Sequence, residues 1–129
     1  MQKYKDLLRY EQYLLPESKI GTWQGGNTVD GIIQVPFFHY EPKVVEFMDY
    51  FQTSDYADHG YGDTMDQKGW FDIKKLQADI SIMTSSEILT CLTALIRQDR
   101  FCEGFFVGCI EDGTVYALLE RLKEFSEIE

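Results

Sequence analysis

Between Asp49 and Asp66 the chain interleaves carboxylates with phenols: Asp49, Tyr50, Asp55, Tyr56, Asp58, Tyr61, Asp63 and Asp66. Charges beside aromatic rings are the residue mixture of recognition surfaces. The wider window Glu41–Asp66 holds seven acids against the single base Lys43. That pattern points to a surface for a basic protein or protein assembly, in its sharpest form a phage-type inhibitor occupying a site that otherwise receives a nucleic-acid backbone. The bland alternative is a solvated acidic loop. The same stretch offers oxygen ligands for a cation, but its glycines and acids fall at the wrong offsets for an EF-hand, with no Glu at the twelfth position. We expect no metal and no cofactor.

A second set of residues would suit a small-molecule module or an enzyme: Trp23, Asp30, His59, Trp70, Arg100 and Glu103, converging on one pocket. Asp58-His59 is the tempting acid–base pair, yet adjacent side chains seldom face each other and no nucleophile motif completes a triad. His39 precedes a helix start and reads equally as a capping or packing residue. No catalytic residue is assigned. Cys102 beside Arg100 would be reactive if a helix began there, whereas its neighbours Phe101, Phe105 and Phe106 imply burial. Arg100 and Glu103 stand at ion-pair spacing, and Phe101 is expected to lock that junction into the core.

These residues need a scaffold, and its elements are legible in part. Tyr4, Leu7, Leu8, Leu14 and Leu15 form a helical stripe over about residues 3–15, stopped by Pro16. Ile20–Trp23 and Ile32–Val35 are short strand-like runs forming a small β-hairpin near residues 20–35, turned at Gly25-Gly26-Asn27 or at Asp30-Gly31. Pro42 opens a helix whose Val44, Phe47, Met48 and Phe51 share a face. It ends at Thr53-Ser54, and residues 54–69 read as loop. Asp72 caps a helix through Ile73, Leu76, Ile80 and Met83. Thr84-Ser85-Ser86-Glu87 is a capping box for the next, with Ile88, Leu92, Leu95 and Ile96 inward. A short helix follows from Cys102 to about Glu111, closed by Gly113. Thr114 then caps a last helix carrying Val115, Leu118, Leu119, Leu122 and Phe125.

The reading is a mainly α, single-domain bundle of about five to six helices, residues 1–129, with no repeat or linker to divide it. Twenty-two acidic and twelve basic residues give a net charge of −10, spread evenly over both halves, which disfavours direct binding to nucleic acid or an anionic membrane. Three cysteines, Cys91, Cys102 and Cys109, cannot all pair, and no leader or membrane-length apolar run is seen. A reduced, cytoplasmic protein is expected. Cys102 and Cys109 fall on one helical face, where packing is the natural role for free thiols. A homo-oligomer through the last helix would follow if its apolar stripe exceeded what one chain can bury.

Arg100-Phe101-Cys102-Glu103-Gly104, then Ile110-Glu111-Asp112-Gly113 and Leu118-Leu119-Glu120-Arg121-Leu122, resemble a small bacterial family of unknown function, and Trp23, Gly25 and Asp30–Pro36 look like its N-terminal half. The resemblance spans most of the chain. It implies no activity, so no site residues are carried over from it.

Overall fold

The computed structural model describes residues 4–24, 28–29, 31–33, 37–102 and 104–126. In chain order they form α1 (Lys5–Leu8), a tight 3-10 turn (Glu11–Tyr13), strands β1 (Gly21–Gln24), β2 (Thr28–Val29), β3 (Ile32–Ile33) and β4 (Phe37–Tyr40), then α2 (Pro42–Thr53), α3 (Tyr61–Lys68), α4 (Ile73–Asp79), a second 3-10 turn (Ile80–Ile82), α5 (Ser85–Gln98), α6 (Phe105–Glu111) and α7 (Thr114–Ser126). The fold is mainly helical with a small hairpin, as the periodicity predicts. Among the described residues no helix is long and apolar enough to cross a membrane.

Helix α5 is the axis. Every residue from Thr90 to Ile96 is buried, which a helix reaches only when packed on all sides, and α2, α3, α6 and α7 lie against it. Its start is the expected capping box: Thr84 Oγ1 accepts from the Glu87 amide at 3.2 Å, and Glu87 Oε1 accepts from the Thr84 amide at 2.9 Å. Helix α2 starts at Pro42 and buries Val44, Phe47 and Phe51, while Asp72 caps α4 by accepting from the Lys74 amide. In α7, Val115, Leu118, Leu119 and Leu122 are fully buried within the chain itself, so these residues leave no apolar stripe for a second copy.

β1 pairs antiparallel with β4, from Gly21 opposite Tyr40 to Gln24 opposite Phe37, and β2 with β3, Thr28 opposite Ile33 and Val29 opposite Ile32. Partner numbers add to the same total throughout, so the two ladders share one register. Gly31, between β2 and β3, is a turn residue with a φ of 79°; Gly25-Gly26-Asn27 and Asp30 lie outside the described residues. The ribbon continues to Tyr40, past the expected end near 35, because Phe38 and Tyr40 stand two apart on one face and both pack on the core.

Four expectations are corrected. The first helix is not continuous over 3–15: α1 is four residues long, and after it Tyr10, Tyr13 and Leu14 donate to carbonyls three residues back. Leu7, Tyr10 and Tyr13 are spaced by three, which serves a 3-10 turn as well as an α-helix. Residues 54–69 are not all loop, since α3 occupies 61–68. It ends in a left-handed Gly69 (φ 73°), with the Trp70 amide bonded to the Met65 carbonyl and the Gly69 amide to that of Asp66, the two bonds of a Schellman closure. The helix expected from Cys102 begins at Phe105, and Gly113 closes it in the left-handed region as predicted (φ 87°). Thr114 is the first residue of α7 rather than its cap. Its amide and hydroxyl both donate to Asp112 Oδ1, at 2.9 and 2.6 Å.

Candidate functional site

The acidic segment divides into side chains that hold it and side chains that it presents. Asp58 holds: its Oδ1 accepts from the Gly60 amide (2.9 Å), its Oδ2 from the Thr90 hydroxyl (2.7 Å), and its own amide donates to Thr93 Oγ1 (3.0 Å). The turn before α3 is thereby tied to α5. Tyr50 and Tyr56 hold as well, both donating to the Asp6 carboxylate, Tyr56 at 2.8 Å. Burial opposes the charged form of Asp6, but the two phenols together with the backbone amides of Asp6 and Leu7 outweigh it and keep that carboxyl below its usual range. Burial first, then the bond to Asp6, pushes the Tyr56 phenol up to about 12. Tyr61 packs partly buried against the core. Asp49, Asp55, Asp63 and Asp66 are exposed, and their carboxylates make no hydrogen bond or ion pair among the described residues.

Among the described residues of the second predicted site, Trp23 and Trp70 line different grooves. Trp23 stacks edge-on against Phe38, ring centres 5.4 Å apart, and lines a groove of about 270 Å³ with Lys19 and Glu111. Trp70 is buried, donates from its indole nitrogen to Asp79 at 2.9 Å, and lines a separate groove of about 290 Å³ with Met65, Phe71 and Phe105. Arg100 is exposed and donates to Gln52 Oε1 at 3.0 Å. His59 is exposed beside Asp58, and His39 sits exposed in β4 opposite Thr22. Asp30 and Glu103 lie outside the described residues, and with Glu103 goes the ion pair proposed for Arg100. No cluster of three metal-ligating side chains occurs among the described residues.

The structure adds a site that the sequence reading missed. An open groove of about 710 Å³ runs between the first 3-10 turn and α2, lined by Arg9, Tyr10, Tyr13, Glu46, Asp49 and Tyr50 along with Gln12, Lys43 and Thr53. The Arg9 guanidinium lies 4.9 Å from the Tyr10 ring centre and 5.9 Å from that of Tyr50, and donates to the Tyr10 hydroxyl at 3.1 Å. Such stacking on aromatic faces fixes a guanidinium's plane. Lys43 stands 5.7 Å over the Tyr13 ring and pairs with Glu46 at 3.5 Å. One signal was available: Lys43, Glu46, Tyr50 and Thr53 recur at three and four residues, a stripe of α2 flanking its apolar face.

At the α5–α6 junction the expected roles are exchanged. Phe101 is 82% exposed, not a core anchor. Cys102 is exposed too, contrary to the packing role expected of it, whereas Cys91 and Cys109 are buried and burial pushes each thiol up to about 12. The anchor is Asp99, whose Oδ1 accepts from the Tyr40 hydroxyl at 2.8 Å and the Phe106 amide at 2.9 Å, joining α5, β4 and α6. Next to it Gly104 has a φ of 83°, and a Cβ there would come 2.7 Å from Trp23 Cζ2. The C-terminal motif therefore meets the N-terminal tryptophan through a glycine that no larger residue replaces without strain.

A family model matches residues 1–128. The chain belongs to a family of unknown function, DUF6508. Nothing among curated proteins or solved structures matches it. Membership brings no activity with it, and the chemistry open to the chain is that of its own residues.

Proposed function

We propose that the chain is a non-enzymatic interaction protein that presents a fixed acidic face to a basic macromolecular partner in the reducing cytoplasm, where the exposed Cys102 stays a free thiol. The observation that carries this is the division of labour in the acidic segment. Asp58, Tyr50 and Tyr56 spend their polar groups inward, while Asp55, Asp63 and Asp66 stay exposed and unpaired on a backbone pinned to α5. A surface fixed before binding loses less entropy on association, and unpaired like charges steer an oppositely charged partner. In its sharpest form the face competes with a nucleic-acid backbone, as a phage-type inhibitor does.

The test is capture of partners by the tagged chain and by an Asp55→Asn, Asp63→Asn, Asp66→Asn variant. Asp58 is left intact because its loss would disturb the turn. A purified basic partner should bind the variant about tenfold more weakly, three rim charges contributing roughly 0.5 kcal/mol each, and added nucleic acid should displace the wild type. Equal binding by the two proteins would sink the proposal. A second reading, a small-molecule-binding module, is favoured by one observation: the groove at Arg9 and Asp49, in place of the expected pocket between Trp23 and Trp70.

A further inference from the structure

Lining charges decide what the groove between the first 3-10 turn and α2 can take. Arg9 on one side and Lys43, Glu46 and Asp49 on α2 line it together, so the lining charges sum to zero while carrying both signs. A polyanion would meet Glu46 and Asp49; a purely cationic ligand would meet Arg9 and Lys43. Lys43 and Glu46 are already paired with each other. Arg9 and Asp49 are not: the Arg9 guanidinium makes no ion pair among the described residues and gives one hydrogen bond, to Tyr10, and the Asp49 carboxylate has no donor there. The groove is thus left with one guanidinium, its nearest electrostatic complement being Glu46, and one carboxylate, neither in an ion pair among the described residues, with the Tyr13 and Tyr50 side chains lining it beside them.

The guanidinium is held against Tyr10 and Tyr50, and the Tyr50 ring is itself fixed by its hydroxyl's bond to Asp6. A planar fork held in this way matches a carboxylate in two-point contact. Asp49 matches a primary ammonium. The groove's volume of about 710 Å³ lies within the usual range of ligand sites, roughly 300–1,000 Å³.

We propose that this groove binds a short peptide with both termini free, its carboxylate on Arg9 and its ammonium on Asp49, with the tyrosine walls against the chain between. This stands apart from the acidic-face reading, since Asp55, Asp63 and Asp66 are not part of the groove.

The experiment titrates the full-length chain with trialanine, N-acetyl-trialanine, trialanine amide and free alanine, following backbone amide shifts of Tyr13, Lys43 and Thr53. Trialanine should bind, and masking either terminus should weaken it by about tenfold or more, the scale of one lost charge-assisted contact. Arg9→Gln should weaken trialanine and no longer distinguish it from its amide; Asp49→Asn should weaken it and no longer distinguish it from the acetylated form. Both residues are exposed, and unchanged circular dichroism confirms that the variants fold. No shift with any alanine compound, capped peptides binding as well as the parent, or free alanine binding as well as trialanine would each overturn the proposal. The triple Asp55, Asp63, Asp66 variant should bind trialanine normally, so failure here and failure of the acidic-face reading are told apart.

Discussion

Residues 54–60 join α2 to α3, residues 99–104 join α5 to α6, and in each connection one aspartate ties the segment to another element by hydrogen bonds. Asp58 takes the Gly60 amide and the Thr90 hydroxyl on its two oxygens; Asp99 takes the Tyr40 hydroxyl and the Phe106 amide on one. What they present outward is opposite. Around Asp58 the exposed side chains are the carboxylates of Asp55 and Asp63 with His59, and beside Asp99 they are the cationic Arg100 with Phe101 and Cys102. The comparison teaches that each connection is fixed by a polar tie, beside the packing of Tyr56 and Ala57 on the core in the first, and that the residues free to meet a partner are those the tie does not use.

Removing the tie should hurt most where it spans more of the chain. Asp99→Ala deprives the Phe106 amide and the Tyr40 hydroxyl of a shared charged acceptor, and urea unfolding should show a loss of about 2–4 kcal/mol. Asp99→Asn should recover part of it. Asp58→Ala, at a more local turn, should cost about 1–3 kcal/mol and speed hydrogen exchange at the Gly60 amide. If Asp58→Ala proved the costlier of the two, the ranking of long-range over local ties would be wrong.

Glu11 sharpens the contrast, because it is a carboxylate with a like charge where the two aspartates have donors. Its side chain is only 14% exposed, and its Oε2 is buried with no hydrogen-bond partner. Burial first, and then the nearby Glu120, push its carboxyl from near 4.5 up to about 7, against the opposing pull of Lys123 at 3.4 Å. A folded-state value above the unfolded one means the folded chain holds the extra proton. Stability from this group is complete below about pH 4.5, falls as pH rises to about 7, and levels off beyond. Discounted for solvent screening, the loss should be about 1 kcal/mol, or roughly 3–5 °C in Tm. Thermal melts across that window should show the decline, and Glu11→Gln should remove it. Wild-type melts flat from pH 4.5 to 7 would show that Glu11 is an ordinary carboxylate.

Phe101→Ala should be the smallest effect, under about 0.5 kcal/mol, as for surface substitutions generally. A loss of about 3–5 kcal/mol, the cost of deleting a core phenylalanine, would restore Phe101 as the anchor of its junction and erase the contrast with the acidic turn.

Where the local sequence carries the whole cause, it can be read. The Thr84–Glu87 capping box, Pro42 at the first turn of α2 and the α7 stripe each depend on residues within a few positions, and each is found. Helix α3 was missed because it buries fully only Met65 among polar neighbours and glycine; its stop signal, Gly69 followed by Trp70, was readable but weak. Phe101 misled because an apolar residue at a helix end does not say which way it faces. The role of Asp99 was not legible, since its partner Tyr40 is 59 residues away. The groove depends on Arg9, just after α1, and Asp49, on α2, lining one space, a juxtaposition that no local spacing records.

Trp23 and Trp70 sit in unlike surroundings. Trp23 is 56% exposed and rests on Gly104, while Trp70 is buried and hydrogen-bonded to Asp79. The protein therefore carries two built-in optical reporters: an aqueous quencher such as iodide should dim Trp23 first, so the seating of the hairpin on the α5–α6 junction can be followed in unlabelled protein while Trp70 emission reports on the helical core.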